Sequence, residues 1–348
     1  ILASNSFLTE VTNTPLLLTL FTITYNARQF KPDSLAEFYS LIFPTMLYRH
    51  DRLKIGYERE RKAGLTDYQM QRIFEALSFI SLKNNSTRFS ASNFRLFLDN
   101  AAQLERINDN LEDLLIDDIT SITALIVRDG FDYYSFSHKS IQEYFSAVFL
   151  SRLSDQRKVG FYELVIRDFD EYRKWQNSLA FLSTIDEKDY AKYFLLPFKR
   201  NALSLDSHNK VKITYKSLLR MIGIDSKAEV GEDGKLVRVF WGDTSYSVIY
   251  EEYSRFTKSM ISKFLKDKRP NIANFLSFCE ADDYEKYLHE NGNFIFSIDS
   301  FLKGEDLKKE SCAYLSEMFE RSPFKAELDE AEKELLVSEV AADDILQF

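Results

Sequence analysis

The chain has 348 residues, 45% hydrophobic and 28% charged, and its 45 basic against 54 acidic side chains leave a net charge of −9. That length supports two or three compact domains, and the acidic balance argues against broad nucleic-acid binding, which needs a basic surface to neutralise phosphates. Gly and Pro are scarce (10 and 6) while Phe and Tyr are abundant (30 and 19), which favours long helices packed by aromatic rings over a turn-rich β-fold.

Residues 1–62 read as a helical domain. Asn13 and Thr14 precede Pro15, placing a cap and a first-turn proline ahead of the run Leu16 to Tyr25. Ser34 and Glu37 have capping-box spacing before an apolar stripe of Leu35, Phe38, Tyr39 and Ile42, and Pro44 is expected to end or kink that helix. Arg49 to Lys62 is charge-rich and aperiodic, a plausible linker. The chain opens at Ile1 inside an ongoing helical pattern, with no initiator Met; the expectation is a part of a longer polypeptide.

Residues 63–153 form the clearest unit. Thr66 and Gln69 match a capping box ahead of Met70, Ile73, Phe74, Leu77 and Ile80. A second helix starting at Ser90 or Ser92 carries Phe94, Phe97 and Leu98, and an acidic third covers about 110–120. The period then changes: Thr123 to Arg128 and Tyr133 to Phe136 flank Asp129-Gly130, a hairpin signal. Helices followed by a hairpin predict a winged-helix-like arrangement. Residues 154–225 read as helical, and 226–348 as a further domain with helices and a small hairpin, Leu236 to Trp241 with Ser245 to Tyr250 around Gly242-Asp243-Thr244. The fold class expected is therefore mainly α.

After the first hairpin, Ser137 or its neighbour caps a helix whose stripe is Ile141, Tyr144, Phe145, Val148 and Phe149. His138 lies at its mouth, where unpaired N–H groups and a partial positive charge favour phosphate. Spacing alone favours a bland reading, a histidine exposed or satisfied beside a helix cap.

The order Phe136-Ser137-His138-Lys139-Ser140-Ile141-Gln142-Glu143-Tyr144-Phe145-Ser146-Ala147 resembles the F-x-H-x-x-x-Q-E-[FY]-[FL]-A-A signature of NACHT-family signalling NTPases, which include animal NLR immune receptors and bacterial antiphage proteins. Upstream, Asn13-Thr14-Pro15-Leu16-Leu17-Leu18-Thr19-Leu20 is similar to that family's N-P-L-L-L-T-L motif, with a Thr inserted before the proline. The resemblance covers about residues 5–153. It implies that His138 contacts the β-phosphate of ADP and holds a closed, inactive state, that Pro15 packs near the adenine, and that Gln142 and Glu143 are structural.

It further implies partners: an upstream NTPase domain of the same polypeptide that supplies the phosphate cradle and Mg, copies of the protein in an oligomer formed on activation, and a pathogen-derived trigger. No G-x-x-x-x-G-K-[ST] occurs in the chain, so hydrolysis of ATP is not expected of it as given. Two scattered cysteines, four scattered histidines and no apolar run of roughly 18–20 residues make a metal site, a disulfide framework and a membrane span unexpected, and a cytoplasmic setting fits. Two other readings stay open: a helical scaffold without nucleotide dependence, and a winged-helix nucleic-acid binder using the basic, Tyr-containing interval 188–220.

Overall fold

The computed structural model describes residues 11, 14–28, 32–52, 61–107, 111–231, 236–242, 244, 251–267, 294–302 and 305–345. Asn13, Cys279 and the expected strand Ser245 to Tyr250 lie outside the described residues. The chain divides into two compact units, residues 1–193 and 194–348. Both are mainly helical with a small antiparallel sheet. Among the described residues no helix is long and apolar enough to cross a membrane.

The first unit begins with α1 (Pro15–Arg28) and α2 (Leu35–Arg52). Proline opens α1, where its missing N–H costs nothing. At the start of α2 the Ser34 hydroxyl accepts the Glu37 N–H at 3.1 Å, and the Glu37 carboxylate accepts the Asp33 N–H at 2.7 Å. Pro44 does not end this helix, which runs eight residues beyond it to Arg52. Burial of Phe43, Thr45 and Leu47 around the proline holds the strand of helix together. The expected linker is thus helical in its first residues.

Next come α3 (Asp67–Lys83), β1 (Arg88–Ser90), α4 (Ala91–Leu104), α5 (Glu112–Asp118), β2 (Ile126–Arg128) and β3 (Tyr133–Phe136). Thr66 caps α3 in a complete capping box with Gln69, and all five stripe residues are buried. Ser90 caps α4. The sheet order is β1-β3-β2, with Phe89 opposite Tyr134 and Ile126 opposite Phe136. Those four side chains are buried, and the rings pack onto the helices, Phe94 against Phe89 at 5.0 Å and Phe74 against Phe136 at 5.9 Å. Strand β1 is an addition to the hairpin expected from sequence.

Helix α6 (Lys139–Ser151) follows, then α7 (Asp155–Arg167), α8 (Phe169–Ile185) and a single turn α9 (Glu187–Tyr190). α6 is the centre of the unit, packed chiefly between α3 and α8. It is buried well beyond the expected stripe: Gln142, Glu143 and Ser146 are inside, and Val148 is the half-buried member of the stripe. Most of those buried polar atoms find partners, Gln142 Oε1 being the exception. Gln142 Nε2 donates to Ser81 Oγ and to the Ser86 carbonyl, both at 2.8 Å, and Ser146 Oγ donates to the Gln142 carbonyl at 2.7 Å. On α7, Lys158 is buried and donates to Asp186 and Asp189 at 2.7 and 2.5 Å.

At the C-terminal end of α6, Arg152 meets Glu75 of α3 at 2.7 Å and Glu105 at 3.2 Å, and Arg72 donates to Glu105 at 2.8 Å. Burial pushes the Glu75 carboxyl up to about 7, with Gln71 and Arg72 acting in the opposite direction and Glu105 adding to the rise. The folded state therefore holds this proton more tightly than the unfolded chain. Its contribution to stability is full below the unfolded value and is lost as pH rises through the folded one. Glu75→Gln is expected to flatten the fall in thermal midpoint between about pH 5 and about pH 8, and an unaltered slope in a melting series would contradict this.

The second unit contains α10 (Leu196–Leu203), α11 (Tyr215–Ile222), β4 (Lys227–Val230), β5 (Leu236–Phe240), α12 (Glu251–Asp267), β6 (Phe294–Ser297), α13 (Ile298–Phe301), α14 (Glu305–Glu320) and α15 (Pro323–Ile345). The expected strand at 236 is present, but its described partners differ from expectation. The order is β5-β4-β6, so β5 pairs with Lys227–Val230, just past the division between residues 225 and 226 read from sequence. Ala228 and Val230 point inward, and the buried Glu229 carboxylate is paired with Arg238 on β5. Tyr253 stacks on Phe319 at 4.8 Å and meets Phe324 at 5.6 Å, while its hydroxyl donates to the Ala202 carbonyl at 2.5 Å.

Gly223 closes α11 with φ +90°, and a Cβ there would sit 2.6 Å from the Gly242 backbone. Both the conformation and the contact demand glycine. Gly223→Ala is expected to cost about 2–3 kcal/mol; an unchanged unfolding midpoint would contradict the close approach.

Candidate functional site

A cleft of about 510 Å³ opens in the first unit between the starts of α1, α2 and α6 and the last turns of α8. His138, Ser140 and Glu143 line it from α6, Thr14 and Leu17 from α1, Ser34 and Tyr39 from α2, and Asn177 and Thr184 from α8. Pro15 is exposed at the first position of α1, between the lining residues Thr14 and Leu17, and is not itself part of the wall. The structure thus brings His138 to the same cleft as the α1 start, from 124 positions away along the chain (138 minus 14 for Thr14).

His138, and not Ser137, is the N-cap of α6, with extended backbone. Its Nδ1 accepts the Ser140 N–H at 3.2 Å and lies 2.5 Å from Ser140 Oγ. An N–H donor needs a lone pair on Nδ1, so the neutral ring carries its proton on Nε2. The hydroxyl of Ser140 then donates to Nδ1, and Ser140 Oγ accepts from the Tyr39 hydroxyl, with which it is hydrogen-bonded. Burial lowers the His138 pKa, and the nearby Glu143 carboxylate opposes that shift. A neutral ring presenting Nε2–H is a directional donor and not a cation. The helix mouth has correspondingly fewer open N–H groups than its position suggests, since the Ser140 N–H is already capped and the Ile141 N–H donates to the His138 carbonyl at 3.1 Å.

Glu143 is buried and held on three sides. Asn177 Nδ2 donates to Oε1 at 2.9 Å, Lys139 pairs with Oε1 at 3.2 Å, and Ser178 Oγ donates to the Glu143 carbonyl at 2.9 Å. Gln142 and Glu143 therefore tie α6 to α3 and α8. Tyr39 is fixed by its ring, stacked on Tyr144 at 5.4 Å and edge-on to Phe181 at 5.3 Å. The sequence offered Tyr39 only as a member of an apolar stripe, and nothing marked Asn177. Their role in the cleft follows from tertiary packing across long separations.

The cleft walls carry hydroxyls, an amide, a neutral imidazole and one carboxylate whose charge Lys139 offsets. Among the described residues no Lys or Arg lines it. Among the described residues no cluster of His, Cys, Asp or Glu is arranged to hold a metal ion, and Cys312 is a free thiol.

Part of the basic interval of residues 188–220 is engaged within the fold. Phe194 is buried, the Tyr215 hydroxyl donates to Asp299 at 2.5 Å, and Arg200 pairs with Glu332 at 2.9 Å. The rings of Phe194 and Tyr215 are therefore not free platforms for base stacking.

No curated protein matches the chain. The family model of the short NACHT-associated C-terminal domain, family 11, matches residues 185–348, a stretch that takes in the whole second unit and begins where the cleft-lining residues end. Residues 185–348 thus match a short NACHT-associated C-terminal domain, which is consistent with a NACHT-associated C-terminal part.

Proposed function

We propose that residues 1–153 are the nucleotide-sensing lid of a NACHT-type ATP/ADP switch, with the C-terminal domain as its trigger sensor. The observation that carries this reading is the shared cleft, in which a neutral His138 donor and the start of α1 face the same space. The helix–strand–helix–helix–strand–strand order from α3 to β3, with β1 paired to β3, supports a winged-helix unit as the body that carries the lid helix α6. ADP fits the chemistry of the walls in part. His138 Nε2–H would donate to a phosphate oxygen and Pro15 would stand near the base. With no Lys or Arg among the described residues of the wall, the charge that neutralises the phosphates, together with Mg, would come from the upstream NTPase domain.

In this reading the chain itself performs no hydrolysis; the upstream domain is the ATPase. Differential contact of His138 with the two nucleotides biases a two-state element: ADP holds the lid closed, and exchange for ATP releases it for homo-oligomerisation. Defence against a pathogen, acting in the cytoplasm, is the setting that the resemblance implies.

The test is the oligomeric state of the full-length protein without trigger. His138→Ala is expected to raise the oligomer fraction measured by light scattering. A monomer population identical to that of the unsubstituted protein would overturn the proposal.

A further inference from the structure

We propose that Tyr39 and Ser140 are positioning residues that fix His138 as a neutral Nε2–H donor, through a directed chain from Tyr39 Oη–H to Ser140 Oγ and from Ser140 Oγ–H to His138 Nδ1. The inference rests on the reading of His138 as the phosphate-sensing group, and it deepens that reading. The direction of the chain follows by elimination. Nδ1 already accepts the Ser140 N–H, so it cannot donate to Ser140 Oγ, and the hydroxyl must donate to it. Ser140 has a single hydroxyl proton, so its contact with Tyr39 must be one in which Tyr39 donates.

The first donor of the chain is itself immobilised. The Tyr39 ring is buried, stacked on Tyr144 and edge-on to Phe181, so α2 and α8 both set its position. A second proton on the imidazole would have to enter at Nδ1, which would end its acceptance of the Ser140 N–H and reverse its bond with Ser140 Oγ. The titratable groups around the ring are Tyr39 of α2 and Glu143 of α6, the latter paired with Lys139; from α8 the neighbours are Asn177, Ala180, Phe181 and Thr184, none of which titrates.

The experiment is histidine ¹⁵N NMR of the full chain, with His138 identified by its loss in His138→Gln. The neutral ring is expected to carry its proton on Nε2. Ser140→Ala is expected to shift the titration midpoint of His138 upward, Ser140→Thr to retain the original midpoint because it keeps the hydroxyl, and Tyr39→Phe to shift it upward by less than Ser140→Ala. A proton on Nδ1 in the unsubstituted chain, or an unmoved midpoint in Ser140→Ala, would overturn the proposal. The ADP affinity of the full-length protein separates this idea from the one beneath it. If the midpoints behave as described while His138→Ala leaves ADP affinity unchanged, the relay stands and the nucleotide reading fails.

Discussion

Phe145→Ala is expected to destabilise the first unit by about 3–5 kcal/mol. The ring is 1% exposed at the middle of α6. It meets Phe74 of α3 edge-on at 5.0 Å, Phe43 of α2 at 5.9 Å and its neighbour Tyr144 at 5.1 Å. Three helices therefore share this one side chain, and truncation leaves a cavity whose walls belong to elements already pinned elsewhere. Gln142 is hydrogen-bonded to Ser81 and Ser86, and Glu143 to Asn177, so α6 cannot slide to close the gap. Phe145→Leu keeps most of the buried volume and is expected to cost less than half as much. Denaturant unfolding checks both; a loss below about 1 kcal/mol for the alanine variant would mean that the cluster repacks freely.

His138→Ala in the full-length protein is expected to weaken ADP by roughly 10-fold to 150-fold. A hydrogen bond to a charged group is worth about 1.5–3 kcal/mol, and each 1.4 kcal/mol is about tenfold in affinity. The same substitution also removes the cap of α6, at about 0.5–2 kcal/mol of stability, so the two consequences must be separated. His138→Asn does this, because Asn is a favoured cap but its shorter side chain does not reach as far into the cleft. It is expected to restore the unfolding midpoint without restoring ADP affinity. Recovery of both by Asn would assign the whole effect to capping.

Much of the first unit was legible because its signals are local. Thr66 with Gln69, Ser90 before α4, and the Asp129-Gly130 connection all act within a few residues. That the helix continues past Pro44 was not legible, because a proline's cost to a helix is local while its compensation, the burial of Phe43 and Leu47, is tertiary. Strand β1 is three residues abutting a helix cap and acquires its identity only from Tyr133 to Ser135 across the sheet. In the second unit, Lys227–Val230 carries two charges in four residues and reads as surface; Arg238 and the inward-facing Ala228 and Val230 make it the central strand. Of the cleft residues, His138 stood out by position and resemblance, whereas the contact between Tyr39 and Ser140, 101 positions apart, left no signal in the sequence.

The central claim is that His138 reads a nucleotide phosphate from within this cleft. Its most direct measurement is the position of the His138 imidazole in a structure of the full-length protein bound to ADP. The account predicts Nε2 within hydrogen-bonding distance, about 2.7–3.2 Å, of a phosphate oxygen, with Nδ1 still accepting from Ser140. ADP bound with the cleft empty, or with Nε2 facing away from the phosphates, would contradict it.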